Sequence, residues 1–377
     1  MTILALALLA PLSGHLLLAQ EKPPARPVLA ATADTNDWEA YYDAGVDWLN
    51  QRQQMNAEAA FYWASRLEPR RAEPLFARWA TAWARDNRRF ERYLERDPNK
   101  PLPPEMLRID SLRYRALLRN PLVFQGLIIA AYQELPGHFA DDAWTHAMVA
   151  YAMADFHEAL TFFGHALDRD PARYANEVRY LRATTYVAIA QYDSAAAELD
   201  SLIASLQRRD AERLTPVYQS KALLYYARGL LQSSRQDAAG ARAGFESALV
   251  EDLSFYPAHI ALGQLRFGQR DLAGALKEFE QGAALGVNDP VAHYEYGAAL
   301  ARAQRSPEAT TELRAAIALE PYFADPYYWL GEALLAQQDS AAARTAYQDY
   351  LARASAKSGQ LAAARAKLAA LRTSREE

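Results

Sequence analysis

Apolar residues recur along most of this chain at spacings of three and four, stop at a short polar knot, and then resume. In "PYYWLGEALLAQQDSAAARTAYQDYL", Pro326 to Leu351, the first apolar stretch ends at "AQQDS" and a second follows. That spacing predicts two helices joined by a tight turn. The same knot returns upstream as "RAQRS" and "FGQRD". A hairpin of this kind cannot bury its apolar face alone, so the pattern predicts hairpins stacked on hairpins.

The stacking has a register of 34 residues. Tyr328, Tyr294, Ile260 and Tyr226 form one column; Gly331, Gly297, Gly263 and Gly229 form a second. Ala343, Ala309, Ala275 and Ala241 form a third, and Tyr347, Leu313, Phe279 and Phe245 a fourth. Upstream, with small insertions, Tyr180, Ala183, Ala195 and Leu199 take the same roles, as do Ala159 with Phe163 and, in the first unit, Gly45, Ala57 and Phe61. One column is Ala in all seven units, which at an Ala content of about one in five happens by chance about once in 10⁵, so the repeat is real. Small residues in two facing columns let the helix backbones approach, and the large residue four positions after the Ala fills the space beside the contact. The pairs Asp170-Pro171, Asp289-Pro290 and Glu320-Pro321 mark unit boundaries.

These columns resemble the tetratricopeptide repeat: an aromatic, Leu and Gly in a first helix, then Ala, an aromatic and Ala in a second, then Pro. The resemblance covers roughly residues 38–71 and 140–357 and keeps its spacing from 222 to 357. It implies an all-α fold, a right-handed α-solenoid of helix hairpins. It also implies that the position after the core aromatic of the first helix faces the concave side. Tyr42, Trp144, Tyr180, Tyr226, Ile260, Tyr294 and Tyr328 hold that position, with Arg302 the one basic residue expected near the groove. Chaperone-binding members clamp a terminal carboxylate with Lys, Arg and Asn along this face. Here the corresponding residues are aromatic, and the column one turn on reads Val46, Met148, Thr184, Leu230, Gln264, Ala298 and Glu332, which argues against such a clamp.

The register breaks between 72 and 139. "PLFARWATAWARDNRRFERYLERDP" reads as two helices with Phe76, Trp79 and Trp83 on one stripe, and "PLVFQGLIIAAYQELP" is apolar nearly all round, as a buried helix is. These read as two degenerate helix pairs continuing the array, or a separate small bundle. A 12-residue excess around "SLQRRDAERLTP" predicts a second helix that lengthens or loops out. The tail "SGQLAAARAKLAALRTSREE" predicts a last helix over 358–377 that covers the final apolar face.

The ends and the composition narrow the function. "MTILALALLAPLSGHLLLAQ" has no charge before Glu21 and ends in Ala19-Gln20, so residues 1–19 read as a signal peptide and the Pro-rich 20–37 as a linker. The basic residue usual near the start is missing, which leaves an upstream start or a retained anchor as the other readings. The remaining division is 38–139, an N-terminal repeat plus degenerate helices, and 140–357, the main array. Hydrophobic residues make 51% and charged residues 23%, ordinary for a folded chain, and the net charge of −5 argues against nucleic acid. The absence of cysteine removes disulfides, thiolate nucleophiles and Cys-based zinc sites.

Candidate chemistry is thin. His259 and His293 are one repeat apart, in the column of Tyr41, Tyr225 and Tyr327 that packs first helix against second, so a core or rim role outweighs metal ligation. His157 and His165 share a helix without a carboxylate at ligand spacing. No nucleotide-binding or nucleophile-elbow motif occurs. Asp141-Asp142 reads as a helix cap, the arginines of 85–96 as a solvated face, and the five Trp among the first 85 residues as core. The expectation is therefore an exported, non-enzymatic scaffold with no cofactor and no metal, periplasmic or in the cell envelope of a bacterium. It would bind a protein or peptide in its groove and not insert into the membrane apart from an uncleaved N-terminal anchor. The alternatives are a structural subunit of an envelope complex, held by its convex face or by 72–139, and, behind that, an enzyme with its site in 72–139.

Overall fold

The computed structural model describes residues 23–51, 53–71, 155–169, 171–212 and 220–373, with isolated positions at 74, 77, 78, 81, 147 and 150. The leader of 1–19, Asp141-Asp142, the arginines of 85–96 and Trp144 lie outside them, as does all of 72–139 except four positions. All regular structure among the described residues is helical, in fourteen helices. The chain divides into two compact units, one within 75–252 and one formed by 13–74 with 253–377. Residues 38–67 therefore group with the C-terminal hairpins, where the periodicity alone joins them to the residues that follow.

The unit within 75–252 holds five helices, Phe156–Arg169, Pro171–Ala188, Tyr192–Glu212, Ala222–Ser234 and Ala238–Glu251, and each packs against the next.

 

The second unit holds two helices that precede these in the chain and seven that follow. In chain order throughout, α1 is Trp38–Asn50 and α2 is Gln54–Leu67; the five helices above are α3 to α7. Then come α8 (Tyr256–Gly268), α9 (Leu272–Leu285), α10 (Pro290–Arg302), α11 (Ser306–Leu319), α12 (Asp325–Ala336), α13 (Ser340–Arg353) and α14 (Leu361–Thr373).

The hairpins share one crossing contact. A Cβ at Gly45, Gly229, Gly263 or Gly331 would stand 2.5–2.7 Å from the ring of Phe61, Phe245, Phe279 or Tyr347, in each case on the paired second helix. The turn between the helices also repeats. Gln236, Arg270, Gln304 and Gln338 have φ of 60–65°, and the next N–H bonds the carbonyl five residues back. This is a helix end closed by a left-handed residue, here without the glycine that usually takes it. Asp237, Asp271 and Asp339 then cap the second helix by accepting from the N–H of Gly240, Gly274 and Ala342 at 2.9, 2.9 and 3.0 Å. Of the excess around 205–216, the described part lengthens the second helix: α5 runs 21 residues where its counterparts run 14. The tail forms α14, whose Leu371 carbonyl accepts from Arg344 of α13 at 2.8 Å.

Within the second unit, the ends of the α1–α2 hairpin are tied to the C-terminal hairpins by charge and stacking. Arg66 pairs with Glu320 at 2.5 Å, and Trp63 meets Tyr322 edge-on at 5.0 Å. Arg70 reaches Glu68 at 2.6 Å and Asp325 at 2.7 Å while lying over the rings of Phe323 and Tyr294. At the other end Lys357 binds Asp37 and Glu39 at 2.7 and 2.6 Å. Burial pushes the Glu320 carboxyl up to about 7, against the pull of Arg66.

Candidate functional site

The first helices of three successive hairpins, α8, α10 and α12, place a mixed aromatic and polar set on one shared face. Arg302 stands at the last turn of α10, where a cation suits the helix dipole. Its guanidinium carbon lies 3.8 Å from the centre of the Trp329 ring on α12 and 5.0 Å from that of Phe267 on α8. One of its nitrogens donates to the Ala298 carbonyl at 3.3 Å. Burial lowers its pKa, opposed by Tyr294, Glu295 and Tyr328 nearby. Gln264 on α8 donates to Glu295 on α10 at 3.0 Å, and burial raises the Glu295 carboxyl. On α12, Glu332 accepts from Tyr347 at 2.5 Å and pairs with Lys367 at 3.2 Å.

The expected groove residues divide. Tyr328 and Arg302 come together here: Tyr328 is half-buried, meeting Trp329, Tyr347 and Tyr350 edge-on at 5.5–5.9 Å, and Arg302 is exposed. Tyr294 is 7% exposed, wedged against Phe323 with Arg70 over its ring. Tyr42 is 6% exposed between Trp38 and Phe61, so its ring is core of the α1–α2 hairpin. Tyr226, 1% exposed, lies against Phe245 of its own hairpin, and Tyr180 packs on the cluster around Leu199 and Leu224. For Tyr42, Tyr226 and Tyr294 the groove assignment is therefore corrected: each ring is buried, against the large residue of its own second helix for Tyr42 and Tyr226 and against Phe323 for Tyr294. Trp144 lies outside the described residues.

Sequence reasoning missed Phe267, Glu295 and Arg70 as members of this face. Glu295 and Trp329 share the column next to the expected one, 34 apart, which was a usable signal. Arg70 gave none, because Asp325, its partner on α12, lies far along the chain. The histidines take rim positions: His259 meets Glu278 at 2.9 Å and His293 meets Glu312 at 2.7 Å, each across its hairpin. Among the described residues no group of three or more His, Cys, Asp or Glu could hold a metal ion, and no helix is long and apolar enough to cross a membrane.

No protein-family model matches the chain, and no curated protein matches it. Solved structures similar to it are repeat proteins. YrrB, described as a TPR protein with an unusual peptide-binding site, is 19% identical, with 50% of this chain and 91% of that one covered and a TM-score of 0.40. The C-terminal part of a TPR repeat-containing protein from Cytophaga hutchinsonii is 19% identical, covering 55% and 78%, with a TM-score of 0.44. The Cut9-Hcn1 hetero-tetramer of APC/C gives 15% identity over 95% and 80%, with a TM-score of 0.45.

Proposed function

We propose that this protein is an exported, non-enzymatic repeat scaffold that binds an extended segment of another protein along the shared face of α8, α10 and α12. The observation that carries the reading is the gathering of Phe267, Arg302, Tyr328 and Trp329 from three successive hairpins onto one accessible face. Rings offer large contact area at small entropic cost, and a framework of packed helices holds them in place before a partner arrives. Export rests on residues 1–19 alone. The mature chain's mass tests it: loss of 19 residues on secretion is expected, and an intact N-terminus on a cytoplasmic product would sink it.

The binding face is tested by placing a photo-crosslinking residue at Gln264 or, as a control, at Val287, in the full chain in its own cells. A partner captured from Gln264, and lost when Phe267→Ser and Arg302→Gln are combined, fits the reading. A partner captured only from Val287 favours the second reading, a subunit held in an envelope assembly through another surface. That reading draws on Leu253 and Val287, apolar, one repeat apart, and 80% and 58% exposed.

A further inference from the structure

On the α8–α10–α12 face Asp325 and Glu332 each have an opposite charge bonded to them among the described residues, whereas Glu295 and Arg302, which lie close enough to feel one another's charge, do not. Glu295 accepts from Gln264, Asp325 is paired with Arg70, and Glu332 is held by Tyr347 and Lys367. Arg302 makes no ion pair among the described residues; its partners are two ring faces and the Ala298 carbonyl of its own helix. A guanidinium carries five N–H donors in a plane. One of them goes to the Ala298 carbonyl, and a carboxylate is gripped by two others through parallel hydrogen bonds. The residue sits partly desolvated between rings, where a charge gains most from a counter-charge.

Two features say what kind of anion fits. Glu295 stands on the same face with no cation bonded to it among the described residues, so a polyanion such as a nucleic acid meets a like charge there while a single carboxylate need meet only the one guanidinium. The guanidinium also lies in the middle of the face, with Gln264 and Phe267 to one side and Tyr328 and Glu332 to the other. A chain has surface to follow in both directions, as a chain end would not need.

We infer that Arg302 is the specificity anchor of this face, taking the side-chain carboxylate of an Asp or Glu inside an extended partner segment, with an apolar neighbour resting on Phe267. The inference rests on the binding reading proposed above. Phe267 is 38% exposed, enough ring to receive such a contact.

The test is selection of short random peptides on the full chain and on its Arg302→Gln, Arg302→Lys and Arg302→Glu variants, each first checked for unchanged helicity. The wild-type chain is expected to enrich Asp or Glu at one position. Arg302→Gln should weaken those peptides about tenfold or more, Arg302→Lys less, and Arg302→Glu should select Lys or Arg there instead. Synthetic copies with free and amidated C-termini should bind alike; binding by the free acid alone overturns the side-chain assignment. Peptides that are lost with Phe267→Ser yet show no acidic position overturn the role of Arg302 and leave the binding face standing. Failure to select any peptide, or selection indifferent to every variant of the face, overturns both.

Discussion

Hairpins α4–α5 and α6–α7 aside from their lengths, the most instructive pair is α6–α7 and α8–α9, consecutive in sequence and built on the same columns. Gly229 and Gly263 both meet the ring of a phenylalanine sixteen residues on, where a Cβ would stand 2.5 or 2.6 Å from it. The turns flanking that contact differ. In α6–α7 the next column holds Tyr225 and Gly244, and a Cβ on Gly244 would stand 2.7 Å from the Gly229 backbone. In α8–α9 the same column holds His259 and Glu278, bonded at 2.9 Å, and the small residue has moved one turn on, to Gly282 under Ile260. Tyr225 turns instead to Gln207 of α5, accepting at 2.7 Å. The repeat thus fixes where two helices cross. The columns beside the crossing exchange a close backbone contact for a polar pair without disturbing it.

The largest effect should come from filling the closest contact. Gly244→Ala drives a methyl against backbone, which has nowhere to go, and is expected to cost about 3 kcal/mol. Gly263→Ala drives one against the Phe279 ring, which can turn aside, and should cost about 1–2 kcal/mol. Denaturant midpoints of the two variants measure both. Equal costs would mean that the two hairpins close to the same distance and that Glu278 is a passenger in α8–α9.

A smaller test concerns the caps. Asp271 accepts from the Gly274 N–H at the start of α9, whereas the same column at the start of α11 is Arg305, which gives no side-chain cap. Asp271→Ala should cost about 1 kcal/mol, and Arg305→Asp should return a few tenths to about 1 kcal/mol. The second figure is reduced because Arg305 already pairs with Glu308 in the first turn of α11. A thermal melt in which Arg305→Asp loses stability would show that this exposed pair outweighs a cap.

These columns explain what the sequence could and could not disclose. Period, helix pairing and crossing points were legible because each rests on residues whose size is constrained at every repeat: Gly229, Gly263 and Gly331 facing Phe245, Phe279 and Tyr347. The face of α8, α10 and α12 was half legible. Tyr328 and Arg302 belong to it, but the reading assumed that a column points one way in every unit. A large ring such as Tyr226 instead folds back onto its own hairpin, because burying it there removes more apolar surface from water than leaving it in a groove. The grouping of α1–α2 with the C-terminal hairpins was not legible at all. It depends on Arg66, Arg70 and Lys357 finding carboxylates far along the chain, and surface charges carry no periodic mark.

The finest distinction between the hairpins is in their pH dependence. Burial disfavours the His293 imidazolium, but the hydrogen bond to Glu312, the Val287 carbonyl and the nearby Asp289 outweigh it and leave its pKa raised. A raised pKa in the fold means that the folded state holds the proton more tightly than the unfolded one, so stability falls as pH rises through that range. The contribution is complete below the unfolded histidine value of about 6.5 and is lost as pH climbs past the folded one. Hairpin α6–α7 has Tyr225 and Gly244 in these columns, neither a histidine nor a carboxylate. His293→Gln should therefore remove under about 1 kcal/mol at pH 5.5–6 and almost nothing at pH 8.5. Denaturation of both proteins across that range measures the difference. A loss that is the same at both ends would make the imidazole a spacer between α10 and α11, its hydrogen bond to Glu312 indifferent to charge.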